Sequence, residues 1–213
     1  MTETTAPSRD RAEMFFAPVC PWAWMTSRWM MEVEQVRNID VTWSVMSLSV
    51  LNDGRDLDEG YLARLQRAWI PVRAIVAATK DLAEDEANVL RKKMYDAFGQ
   101  RIHLDGRGSE HLDQILAEVV EELGLDPALN DGAARTEVDE ELRASHQRAM
   151  DLVGDDVGTP VISVNKVAFF GPVVTPAPKG EAAGQLWDGC VLVAGTPGFY
   201  ELKRTRDAHP DFS

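Results

Sequence analysis

The feature that most constrains this sequence is a strand that breaks at a proline, passes through Cys20 and resumes as a helix on Pro21. Glu13-Met14-Phe15-Phe16-Ala17 is an apolar run of strand length, and Pro18 ends it. Pro21 suits the first position of a helix, where its missing N–H costs nothing and its fixed φ is already helical. Trp24, Ser27, Arg28, Met31 and Val33 to Val36 continue that helix as far as Arg37-Asn38. Val41 to Leu48 is rich in β-branched and aromatic residues and predicts a second strand. The opening is therefore a βαβ unit whose cysteine lies on the turn after the first strand.

From Asp58 to Val153 the pattern is helical, broken at Asn88 and by the glycine-rich stretch Gly99 to Gly108. Leu112, Ile115, Leu116, Val119, Val120 and Leu123 recur at helical spacing and end at Gly124, a C-cap. Glu137 to Leu152 is a further amphipathic helix closed by Gly154. Strands return at Pro160 to Val164 and Val167 to Phe170, joined by Asn165-Lys166 as a hairpin. Gly180 to Val193 reads as a helix and Phe199 to Arg204 as a short final one. This order, βαβ then helices then ββα, specifies an α/β, thioredoxin-like fold with an inserted all-helical subdomain. The expected boundaries are 12–57 and 154–206 for the thioredoxin-like domain and 58–153 for the insertion, with residues 1–11 and 207–213 as flexible termini.

Composition narrows the chemistry. With 22 Lys+Arg against 35 Asp+Glu the net charge is −13, which disfavours nucleic acid and anionic membrane surfaces as partners. No signal-like amino terminus and no apolar run long enough to span a bilayer is present, so the expectation is a cytoplasmic protein with reduced thiols. Two cysteines make no disulfide framework, and no Cys/His spacing suggests a metal. Cys20, at the N-cap, receives free backbone N–H groups and the positive end of the helix dipole, which favour the thiolate, the nucleophile of disulfide exchange. Cys190, in the apolar helix Trp187 to Val193, reads instead as a buried packing residue. Thr159-Pro160, before the third strand, suits a cis peptide, and in thioredoxin-like folds that proline faces the helix start and helps hold the substrate backbone.

Cys20-Pro21-Trp22-Ala23-Trp24, Thr26 to Trp29, Val45 to Leu48, Asp156 to Pro160, Val167 to Pro172 and Glu201 to Arg206 together resemble the actinobacterial DsbA-like mycothiol-dependent reductases, which include the mycothiol-dependent nitroreductase. The resemblance runs from about Phe15 to Arg206. It implies a cytoplasmic, usually homodimeric thiol-disulfide oxidoreductase that uses mycothiol and mycoredoxin-type partners to reduce disulfides, in small molecules or proteins, or nitro-aromatic compounds. In one respect the sequence departs from the family. Ala23 stands where the family motif Cys-Pro-Trp-Cys has its second cysteine, so Cys20 cannot close an intramolecular disulfide there. The chain is then a natural monothiol enzyme or carries an engineered change that traps a covalent intermediate.

Two other classes fit the same fold: a glutathione-transferase-kappa-like or isomerase-like enzyme that uses a low-molecular-weight thiol without dithiol chemistry, and a non-catalytic binding protein. Substrate-pocket candidates are Trp24, Asn52, Tyr61, Trp69 and His103, with Trp22 and Trp24 flanking the active turn. Histidine ordinarily titrates near neutrality, so His103 is a candidate to support a thiolate, against the plainer reading of a surface histidine. His111 and His146 are expected on exposed helix faces, and Thr26 and Ser27 in structural roles. The acidic run Asp81 to Glu86 reads as a solvated connection, and Lys203 to Arg206 as a dimer contact or solvent-exposed end.

Overall fold

The computed structural model describes residues 9–212. The flexible leader expected over residues 1–11 lies outside them as far as residue 8. Four strands form one sheet in the order β2-β1-β3-β4: β1 (Asp10–Phe16), β2 (Ile39–Val45), β3 (Val161–Val164) and β4 (Val167–Phe170). β1 runs parallel to β2, pairing Phe15 with Ser44, and antiparallel to β3, pairing Phe15 with Val161. As a central strand it is covered on both faces, which is why Met14, Phe15 and Phe16 read as an unbroken apolar run. Asn165 and Lys166, with φ of 49° and 71°, turn β3 into β4, as the hairpin reading requires.

Helix α1 (Pro21–Val36) covers one face together with α7 (Glu181–Ala194). The indole N–H of Trp29 donates to the carbonyl of Ala183 at 3.0 Å, and Trp29 packs on Trp187 with centroids 6.0 Å apart. On the other face Phe15, Met46 and Val161 pack with Ala149 and Met150 of α6 (Asp139–Val153). Between β2 and α6 come the short α2 (Leu48–Leu51), α3 (Glu59–Thr79), α4 (Glu84–Gly99), a π-helical turn at Gln100–Leu104 and α5 (Leu112–Glu122). Gly124, at φ +63°, lets the N–H of Leu125 close on the carbonyl of Val120 at 2.9 Å and ends α5. Arg73 of α3, only 9% exposed, clamps both carboxylate oxygens of Asp139 at 2.7 Å and so ties α3 to α6. No described helix is long and apolar enough to cross a membrane.

Several expectations are corrected. Asn88 does not break a helix; it sits inside α4. Its side-chain oxygen accepts from the N–H of Trp43 at 2.7 Å and its amide donates to the carbonyl of Val41 at 3.1 Å. It therefore satisfies the open edge of β2, and that pairing outweighs its weak helix propensity. β2 ends at Val45 rather than Leu48, because Ser47 caps α2 through the N–H of Val50. The helix expected over Phe199 to Arg204 is absent. Gly195, Pro197 and Gly198 surround a turn closed by Phe199 N–H on the carbonyl of Thr196, and the chain continues without regular structure. His146 is buried, 4% exposed, because the turn of α6 that carries it faces Ser47.

Candidate active site

Cys20 has extended backbone angles, φ −84° and ψ 113°, and caps α1. Its carbonyl accepts the first helical bond from Trp24 at 3.1 Å, and its sulphur accepts from the N–H of Ala23 at 3.5 Å. Pro21 occupies the first helical position, as its chemistry dictates. Across from this helix start the Thr159–Pro160 peptide is cis, and the Cys20 thiol donates to the carbonyl of Thr159 at 3.6 Å. The Thr159 hydroxyl is held in turn by the carbonyl of Phe15 at 3.4 Å. Gly171–Pro172 and Thr175–Pro176 are also cis, and the hydroxyl of Thr26, 2.7 Å from the carbonyl of Pro172 and 3.0 Å from that of Trp22, links this stretch to α1.

The electrostatics correct the simple reading of an acidified thiol. Cys20 is 7% exposed, and burial pushes its thiol up from the ordinary value. The N–H groups of Ala23 and Trp22 and the charge of Arg206 pull in the opposite direction, and in this closed arrangement burial prevails. Cys190, expected to be buried, is only half-buried on α7, and its thiol is pushed up to about 11 by the desolvation it does undergo. The residues of α7 that are fully buried, Ala183, Gly184 and Trp187, lie in its first two turns, and Cys190 lies beyond them toward its carboxyl end.

His103 is not a surface residue. It lies in the π-helical turn after α4, 8% exposed, and its Nε2 donates to the carbonyl of Pro18 at 2.9 Å. That carbonyl can only accept, so the neutral ring carries its proton on Nε2. The ring lies 5.7 Å from Trp24 and 5.6 Å from Phe212, and the Arg28 guanidinium lies over the Trp24 ring at 3.8 Å while pairing with Asp96. His103 thus shapes the turn that leads into Cys20. Trp24 is a core residue, 2% exposed, whereas Trp22 is half-buried at the surface of the turn. Asn52 ends α2 by donating to the carbonyl of Leu48 at 2.8 Å, and neighbouring Leu51 lies beside Gly158, where an added Cβ would meet it at 4.0 Å. Tyr61 lies under Arg64, and Trp69 between Arg73 and Arg143 at 4.4 and 5.5 Å. Of the pocket candidates, Trp24 and His103 are brought together behind the active turn. Asn52 is near the cis-proline loop, and Tyr61 and Trp69 are engaged with α3 and α6 cations.

Burial holds both His103 and His146 well below the usual histidine range, to about 4. A depressed folded-state value means the neutral form is the one the fold accommodates. Its contribution is complete above about pH 6.5 and is lost as pH falls toward 4. The urea midpoint is expected to drop between pH 7 and pH 5, and His146→Gln to flatten that slope; a midpoint constant across the window would contradict the assignment.

Residues 19–204 match the Rv2466c-like family model, described as mycothiol-dependent nitroreductase Rv2466c. The chain is 29% identical over 195 residues to the uncharacterized protein Rv2286c of Mycobacterium tuberculosis, across 91% of this chain and 81% of that one. The solved structure of the oxidoreductase DsbA from Xylella fastidiosa superposes with a TM-score of 0.51 at 18% identity, covering 87% of this chain and 86% of that one. Chlamydia trachomatis DsbA gives 0.52 at 11% identity over 91% of each. At these identities the likeness to DsbA is one of fold.

Proposed function

The chain belongs to the Rv2466c-like family of mycothiol-dependent nitroreductases, and from that premise we propose that it is a thiol-dependent oxidoreductase working through a single sulphur, Cys20. The observation that carries this reading is the setting of that sulphur. A helix-start N–H lies on one side, the carbonyl before a cis-proline on the other, and residue 23 is an alanine. Once deprotonated, Cys20 attacks a disulfide: a new S–S bond forms, the old one breaks, and its electron pair leaves with the departing thiolate. The N–H groups of Ala23 and Trp22 are the donors that hold the negative charge. Because residue 23 has no sulphur, an external thiol attacks the mixed disulfide and returns Cys20 to its starting state.

The site suits a low-molecular-weight thiol such as mycothiol. Trp22 offers a half-exposed aromatic wall, and the Thr159 carbonyl, which accepts the Cys20 hydrogen at 3.6 Å, is freed when that hydrogen gives way to an S–S bond. It then accepts an amide N–H from the bound compound. Mycothiol supplies reducing electrons in pairs: two thiols become one disulfide as a disulfide is reduced, or as a nitro group becomes nitroso and water. The reading extends to a cytoplasmic homodimer served by mycoredoxin-type reductants. Thiol pools are kept reduced in the cytosol, and Leu192, Tyr200 and Leu202, 74%, 95% and 82% exposed, are apolar side chains that a second copy would cover.

Ala23 also favours a second reading, in which the thiol is bound without covalent exchange, as in kappa-class or isomerase-like enzymes. Intact mass spectrometry after incubation with oxidised mycothiol separates the two. A persistent adduct of one thiol on Cys20 is expected here. In Ala23→Cys the adduct is expected to be released within minutes as the two cysteines pair. Binding without any adduct would overturn the one-sulphur cycle in favour of the second reading.

A further inference from the structure

We propose that Arg206 is a positioning residue of this site, carried over Trp22 by the carboxyl-terminal segment so that its positive charge acts on the Cys20 sulphur. The inference rests on the reading of Cys20 as the reacting thiol. After α7 the chain has no regular structure, yet it is tied down at two points beyond Arg206. The N–H of Asp211 donates to the Thr175 hydroxyl at 2.7 Å, within the run of cis-prolines that follows β4. One residue later, Phe212 packs on the main core with its ring 5.6 Å from His103. Phe212 thereby joins the end of the row Arg28, Trp24, His103, whose last member holds the carbonyl of Pro18 two residues before Cys20.

Between these anchors and α7, the Arg206 guanidinium lies 5.6 Å from the centroid of the Trp22 ring. A planar, weakly hydrated cation suits an aromatic face, and arginine keeps its charge at every working pH. Other charged and titratable groups around the sulphur are spoken for. Arg28 is paired with Asp96, His103 is neutral and bonded to Pro18, and the buried Tyr95 keeps its proton. After burial and the N–H groups of Ala23 and Trp22, the charge of Arg206 is a further, smaller influence on Cys20, and its sign favours the thiolate. The basic run Lys203 to Arg206 thus has one member with a task at the site, a role its sequence context does not reveal.

The test is the pH profile of Cys20 alkylation by iodoacetamide, followed by intact mass, in the full chain and in Arg206→Gln and Arg206→Lys. Arg206→Gln is expected to move the profile up by roughly one pH unit, slowing alkylation at pH 7 roughly tenfold, and Arg206→Lys to recover most of it. Loss of packing alone would leave lysine as impaired as glutamine. Superimposable profiles for all three proteins, or an equal shift in both variants, would overturn the role of Arg206 while leaving Cys20 reactive. A Cys20 that is inert to iodoacetamide at every pH in the unaltered chain would overturn the thiol reading and this inference with it.

Discussion

Replacing Cys20 by serine is expected to reduce mycothiol-dependent turnover by at least about a thousandfold, to the level of the uncatalysed exchange. The substitution is a clean one. A serine hydroxyl in the same place can accept from the N–H of Ala23 and donate to the carbonyl of Thr159, as the thiol does, so the cap and the contact with the cis-proline loop survive. What is lost is a thiol that can be deprotonated and whose sulphur can form an S–S bond. The variant is therefore expected to fold, to bind, and to show no adduct by intact mass. Turnover that persists at more than a few per cent would sink the mechanism, because among the described residues the other sulphur nucleophile is Cys190, half-buried on α7 with its thiol at about 11.

The second large effect is on stability. Gly99 closes α4 where the ring of Trp24 crosses it, and an added Cβ would lie 2.0, 2.3 and 2.6 Å from three atoms of that ring. Trp24 has no direction in which to yield. The Arg28 guanidinium covers one face at 3.8 Å, His103 lies at 5.7 Å, and Tyr95 meets it edge-on at 5.6 Å. Helix propensity alone would make Gly99→Ala stabilising by about 1 kcal/mol. Overpacking opposes this by about 3 kcal/mol or more, because a rigid, buried ring must move. The sign decides between the two: Gly99→Ala is expected to unfold roughly 4 to 10 °C lower than the unaltered chain. A melting temperature equal to or above that of the unaltered chain would show that Trp24 yields to a methyl group at position 99. Since Trp24 follows Cys20 by one turn, the same variant is expected to change the alkylation rate of Cys20.

The βαβ opening, the helical middle and the closing hairpin were legible because each rests on local rules. Prolines at 18 and 21 stop a strand and start a helix, and Asn165-Lys166 accepts the left-handed angles of a tight hairpin. The position of Cys20 at a helix start followed from Pro21 alone. Elsewhere, distant partners overrode local preference. Asn88 reads as a helix breaker by composition, but the unpaired edge of β2 gives its amide two backbone partners. His146 and His103 read as exposed because polarity is all that a sequence shows of them. Their burial comes from Ser47 and Pro18, 99 and 85 residues away along the chain.

Local residue chemistry sets the order of elements, the placement of a cysteine at the start of α1, and the alanine that removes a second sulphur from the turn. These are properties of single residues and their immediate neighbours. The state of that cysteine is set by packing across the fold. Helix-start donors act locally and lower the cost of a thiolate, but desolvation depends on everything packed around the sulphur, and here it outweighs them. The same packing lets an irregular carboxyl-terminal segment bring Arg206 to Trp22 and Phe212 to His103. No periodicity records contacts of this kind, because they are made by residues more than a hundred positions apart.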